Sequence, residues 1–185
     1  MLVTGDAALA ERARLLRSHG LNADTWTRHR GDAADYEVLE AGFNYRLDEP
    51  RAALGTLLLR RLEADNCNRL ALARSYERGL ALIDGVQGVI GVEPEPSSAW
   101  HIYPLLLDTR IDRATFRHRL QARGVQTSVH YPPLHETRAF APADGVSLPV
   151  TEEYAKRTVT VPLFPHMSES QLGHVLAAIK DASGA

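Results

Sequence analysis

Residues 120–135 read LQARGVQTSVHYPPLH, and their order of helix end, stop, strand and stiff turn sets the reading of the second half of the chain. Upstream, DRATFRHRLQARG (112–124) places Phe116 and Leu120 four residues apart and closes on Gly124, the pattern of a compact amphipathic helix with a glycine stop. Downstream, VQTSVHY is rich in β-branched residues and reads as a strand. Pro132 and Pro133 then remove two backbone donors and stiffen the turn that presents His130, Tyr131 and His135.

Working outward, VQGVIGVEP and SAWHIYPLLLD are β-rich runs with Pro94 and Pro96 between them. TEEYAKRT predicts a short helix, VTVPL a strand, and SESQLGHVLAAIKDA a closing helix with Ser168 and Gln171 in capping-box spacing. Residues 85–185 therefore predict a small α+β lobe. Before it, residues 48–83 predict one long helix, with Asp48 as cap and Pro50 in the first turn. MLVTGD reads as a strand running into a helix cap at Asp6, and the following helix stops at Gly20. Residues 21–43 are polar and aperiodic, which predicts a functional or interface loop.

The composition of this 185-residue chain is that of a globular protein: 44% hydrophobic and 24% charged residues, with a formal charge of -2. That charge gives no basis for broad nucleic-acid affinity. No apolar run approaches a membrane span and no signal pattern opens the chain, so a cytoplasmic location is the default expectation. Cys67 is the single cysteine and is expected to be a structural thiol. Of the 21 basic residues, 19 are arginine; the two lysines are Lys156 and Lys180.

Three roles compete for the residues around Pro132 and Pro133. A metal site would use His130 and His135, but a spacing of five fits neither a helical nor a strand pair. A structural turn or ligand contact remains, with ligand contact favoured by the stiffened loop. No G-x-S-x-G elbow, G-x-G-x-x-G loop or Walker loop is present. His101 and Tyr103 alternate with Ile102, as on a half-exposed sheet face. In GFNYRLDEPRAALG (42–55), Asn44 and Arg46 stand two apart before a helix, so one ligand could meet both an amide and a guanidinium. Equally, Asn44 could form a turn while Arg46 pairs with Asp48 or Glu49.

Taken together, ERARLLRSHG, GFNYRLDEPRAALG, HIYPLLLDTR, LQARGVQTSVHYPPLH, LPVTEEYAKRTVTVPLFPHMSESQL and VLAAIK resemble, in order and spacing, the DegT/DnrJ/StrS family of pyridoxal-phosphate-dependent sugar aminotransferases. The resemblance implies the α/β fold of a fold-type-I PLP-transferase, here its C-terminal half, acting as a homodimer. It implies transfer of an amino group, usually from glutamate, to a nucleotide-linked keto sugar. Residues 1–47 would then be a remnant of the large PLP-binding domain with an interface loop, 48–84 the interdomain helix, and 85–185 the small C-terminal α+β domain.

By the same resemblance, Asn44 reaches the cofactor phosphate of a neighbouring subunit. Arg46, His130, Tyr131 and, more weakly, His135 meet the substrate. The family's Schiff-base lysine and its pyridine-pairing aspartate precede the stretch matching Met1 to Asp6. The chain alone is therefore expected to be inactive and to bind pyridoxal phosphate weakly at best, with Lys156 and Lys180 as solvated surface residues. The alternative is a non-catalytic nucleotide-sugar-binding or regulatory module. Either way, apolar surface that a missing half would cover should drive association.

Overall fold

The computed structural model describes residues 2–22, 30, 37–91, 98–140 and 145–184. The chain divides into two compact units, Met1–Leu59 and Arg60–Ala185.

In the first unit the Asp6 carboxylate accepts from the N–H groups of Ala8 and Leu9 at 2.9 and 3.1 Å and starts α1, Ala7–Arg17. The helix ends as His19 and Gly20 turn left-handed, with φ of 65° and 72°. Two of the carbonyls that its last turn leaves unpaired are taken by the segment at 42–45. Phe43 N–H donates to Leu16 O at 2.6 Å and Tyr45 N–H to Arg17 O at 2.9 Å, while His19 N–H donates back to Phe43 O at 2.9 Å. This approach requires glycine on both sides. A Cβ on Gly20 would lie 1.8 Å from Glu40 O, and one on Gly42 would lie 2.2 Å from Gly20 N. Arg12 secures the same loop through paired bonds to Glu40, both 3.2 Å.

The strand expected for MLVTGD does not form: residues 2–4 are irregular and Val3 is largely exposed. Among the described residues nothing lies beside it to pair its backbone, and a lone extended segment has no ladder to join. The loop expected over 21–43 is irregular where described, bridged at Leu21 and Val38, and residues 23–29 and 31–36 lie outside the described set. The long helix is present as α2, Glu49–Leu80, with Arg51 N–H bonded to Asp48 Oδ1 at 3.0 Å. Its first half exposes Leu54, Leu57, Leu58, Leu59 and Leu62. Cys67, expected to be a structural thiol, is exposed on this helix.

In the second unit the last turns of α2 bury Ala73, Tyr76 and Leu80. A three-stranded antiparallel sheet follows in the order β1 (Val86–Gly88), β2 (Tyr103–Leu107) and β3 (Thr158–Val161). Its register pairs Tyr103 with Val161 and Leu105 with Val159, so these four share one face, whereas Pro104 and Thr160, and Leu106 and Thr158, share the other. The first face belongs to the core, together with Phe116 and Leu120 of α3 (Arg113–Ala122) and Leu172, Val175, Ile179 and Ala182 of α5 (Glu169–Ser183). The helix α4, Pro149–Arg157, leads directly into β3. Ser168 and Gln171 form the expected capping box at the start of α5.

Two strand expectations are corrected in this unit. VQTSVHY contributes one bridge, Ser128 to Thr160, with N–H···O distances of 3.1 and 2.8 Å. Extending that register toward Val125 would set Gln126 opposite Pro162, which has no N–H to donate, so the ladder does not continue in that direction. The strand expected from residue 98 begins only at Tyr103. His101 is exposed and irregular, whereas Tyr103 is buried and stacks on Tyr76 at 4.7 Å, so the two do not share a half-exposed face. Pro94 and Pro96 lie outside the described residues.

Candidate functional site

The predicted site residues fall into two sets, Asn44 and Arg46 in the first unit and His130, Tyr131 and His135 in the second. The docking of 42–45 on the end of α1 decides how the first set is presented. Alternation along an extended segment puts Phe43 and Tyr45 on one side, where their rings stack in parallel at 5.0 Å, and leaves Asn44 and Arg46 on the other. Arg46 Nε donates to Asn44 Oδ1 at 3.2 Å. That bond occupies the acceptor end of the Asn44 amide and turns its NH2 donors outward beside a guanidinium. Two exposed donor groups side by side, one carrying full positive charge, suit a phosphate or carboxylate oxygen. Asp48 caps α2 and pairs with Arg51 at 3.2 Å.

In the second set His130 is half-buried and Tyr131 exposed, joined by a cis peptide, and their rings meet edge to face at 4.8 Å. His130 Nδ1 lies 2.9 Å from Thr160 Oγ1 and 3.4 Å from Ser128 Oγ. His135 follows on the single turn Leu134–Glu136, and its Nε2 lies 3.2 Å from Glu152 Oε1. The same carboxylate oxygen accepts from Leu148 N–H at 2.7 Å. These two bonds, the Leu148 one first, hold the Glu152 carboxyl below its usual range. His135 is thus tied inward to α4, and the loop that carries His130 and Tyr131 is anchored at its far end.

His135, Glu136 and Glu152 also form the one grouping among the described residues whose metal-ligating atoms all lie within 4.8 Å of one another. Glu136 is exposed, and Glu152 is already engaged by Leu148 and His135. Sequence reasoning missed both Glu152 and Thr160. The available signal for Thr160 was the alternation TVTV at 158–161, which puts hydroxyls on one sheet face and apolar groups on the other.

No described helix is long and apolar enough to cross a membrane. The two lysines, Lys156 on α4 and Lys180 on α5, are both exposed.

A family model described as the DegT/DnrJ/EryC1/StrS aminotransferase family matches residues 1–180. The chain is 35% identical over 184 residues to a dTDP-3-amino-3,4,6-trideoxy-alpha-D-glucose transaminase of Streptomyces venezuelae, covering 97% of this chain and 44% of that protein. An uncharacterised protein of Methanocaldococcus jannaschii is 28% identical, again over 97% of this chain and 48% of the relative. Among solved structures, S. venezuelae DesV superposes with a TM-score of 0.82 at 33% identity, over 99% of this chain and 46% of that one. The aminotransferase TlmJ of Streptoalloteichus hindustanus gives 0.84 at 29% identity, over 97% and 46%. The chain spans a little under half the length of these relatives. The fold expected from the resemblance, that of the C-terminal half of such an aminotransferase, is the one these likenesses show, and the chain belongs to the DegT/DnrJ/EryC1/StrS aminotransferase family.

Proposed function

We propose that this chain forms the substrate-side wall of a pyridoxal-phosphate-dependent aminotransferase that acts on nucleotide-linked keto sugars, with glutamate as amino donor. The observation that carries this reading is the 35% identity to a transaminase named for a dTDP-linked amino sugar. The residues present fit one end of the cofactor. The Asn44 NH2 suits the phosphate oxygens of the cofactor of a partner subunit, and the Arg46 guanidinium beside it suits a nucleotide phosphate of the substrate. They do not supply the amine that would hold it covalently, since the chain's two lysines are solvated on helix surfaces. When bound, pyridoxal phosphate supplies the electron sink that amino transfer needs.

What this chain contributes is placement. His130 and Tyr131 orient the sugar nucleotide from the loop at 130–135, with His135 fixing that loop through Glu152. In this reading residues 1–47 are a large-domain remnant with interface loop, 48–84 an interdomain helix and 85–185 a small domain. The assembled enzyme is a cytoplasmic homodimer whose covalent lysine comes from outside these residues.

The test is direct. Purified chain is incubated with pyridoxal phosphate, reduced with borohydride and mapped by peptide mass, in parallel with an assay using glutamate and a dTDP-linked keto sugar. The expected result is no lysine adduct above background and no turnover. Unaided turnover together with a stoichiometric adduct at Lys156 or Lys180 would overturn it.

A further inference from the structure

Thr158 and Thr160 are the two buried polar residues among those described, 0% and 5% exposed, and both point to the sheet face opposite the core. A buried threonine differs from valine only in a hydroxyl that must find a partner. Thr158 donates its proton to Tyr154 Oη at 3.1 Å. The partner of Thr160 is His130 Nδ1 at 2.9 Å.

The direction of that bond follows from counting protons. If Nδ1–H donated to Thr160 Oγ1, the threonine proton would face no acceptor among the described residues from a site that is 5% exposed. An orphaned buried donor is rarer and costlier than an unused lone pair. If Thr160 donates instead, Nδ1 accepts, the buried threonine proton is placed, and a ring with one N–H carries it on Nε2. Ser128 Oγ, 3.4 Å from the same nitrogen, adds at most a long second contact. The backbone pair between Ser128 and Thr160 fixes the spacing, since both N–H···O bonds are made two residues before the ring.

We propose that Thr160 is a positioning residue that holds His130 in the Nε2–H tautomer, so that the ring offers one hydrogen-bond donor to an oxygen of the bound ligand. This deepens the substrate-binding reading above, on which its functional sense rests. The acceptor class is a phosphate oxygen of the nucleotide or an oxygen of the attached sugar.

Long-range nitrogen–proton NMR of the histidine rings tests it on the whole chain. In the parent, His130 should show an unprotonated Nδ1 and a protonated Nε2. Thr160→Val should move both nitrogens toward the averaged shifts of a ring exchanging between tautomers, and Thr160→Ser should restore the parent pattern. Ser128→Ala should leave it in place. The amide spectrum checks that each variant remains folded.

A dominant Nδ1–H form in the parent, unchanged shifts in Thr160→Val, or loss of the pattern in Ser128→Ala alone would overturn the assignment. Addition of dTDP and of dTDP-glucose separates the two acceptors. A shift of Nε2 with both assigns a phosphate oxygen, and a shift with dTDP-glucose alone assigns a sugar oxygen. Movement with neither removes the substrate reading of His130, while the variants still decide the role of Thr160.

Discussion

Replacing Gly42 by alanine should peel the segment at 42–45 from the end of α1 and with it the presentation of Asn44. A Cβ at Gly42 would lie 2.2 Å from Gly20 N, 2.5 Å from His19 C and 2.8 Å from Leu16 O, all backbone atoms that cannot swing aside. Ordinary van der Waals contact begins at 3.4 Å, so the segment must withdraw by more than an ångström from its nearest neighbour. The three backbone bonds between this segment and the end of α1, at 2.6, 2.9 and 2.9 Å, do not survive such a shift. At about 1 kcal/mol each, their loss costs about 3 kcal/mol. The smaller conformational freedom of unfolded alanine offsets about 0.5–1 kcal/mol of that in global stability.

Hydrogen exchange reads the local term directly at the amides of His19, Phe43 and Tyr45. Their protection should fall by up to about 100-fold, because each 1.4 kcal/mol is a factor of ten. Gly5→Ala, where a Cβ meets nothing within 4 Å, is the matched control. Protection in Gly42→Ala within about threefold of the parent would refute the claim that this close approach holds the segment.

Three further outcomes follow from the second unit and the long helix. Tyr76→Phe removes the 2.7 Å bond to Pro162 O while keeping the ring stacked on Tyr103, and should cost about 1–2 kcal/mol in urea unfolding followed by Trp100 fluorescence in a Trp26→Phe background; no measurable loss would show the bond to be replaceable by water. Burial, and secondarily the charge of Glu77, pushes Tyr103 up to about 12, and burial pushes Tyr76 higher still. Because these folded values exceed the unfolded value near 10, their contribution to stability is complete below about pH 10 and declines as pH rises toward 12, so unfolding midpoints should fall over that window with delayed tyrosinate absorbance. Changing Leu54, Leu58 and Leu62 together to Gln should lower self-association measured by light scattering while far-ultraviolet dichroism stays helical; unchanged association would place the sticky surface elsewhere.

Elements whose signals are local were legible in the sequence. Asp6, Asp48 and Ser168 all cap helices in the structure, and Gly20 and Gly124 terminate theirs at positive φ. Elements whose existence depends on a distant partner were not. MLVTGD has strand composition but nothing to pair with among the described residues, and VQTSVHY makes one bridge, blocked on one side by Pro162, more than thirty positions away. The same division holds at the site. The double proline marked the loop at 130–135, but Thr160 and Glu152, which orient its histidines, are 30 and 17 residues distant from the rings they touch. Only the fold brings such pairs together, so no spacing rule could name them.

The buried face of β3 shows how folding alone can set the orientation of a side chain. A sheet face holding Thr158 and Thr160 is tolerable only if each hydroxyl is matched, and the matches are made by Tyr154 and His130 from flanking segments. That requirement ties the orientation of His130 to the packing of this unit. A covalent amine has the opposite need: it must move between a bound and a released form, which a ring pinned by buried bonds cannot do. A rigid wall that aims donors at a substrate and a mobile amine that handles the cofactor are therefore physically separable tasks. In this chain the His130 ring is held by such a bond, whereas both lysines stand in solvent.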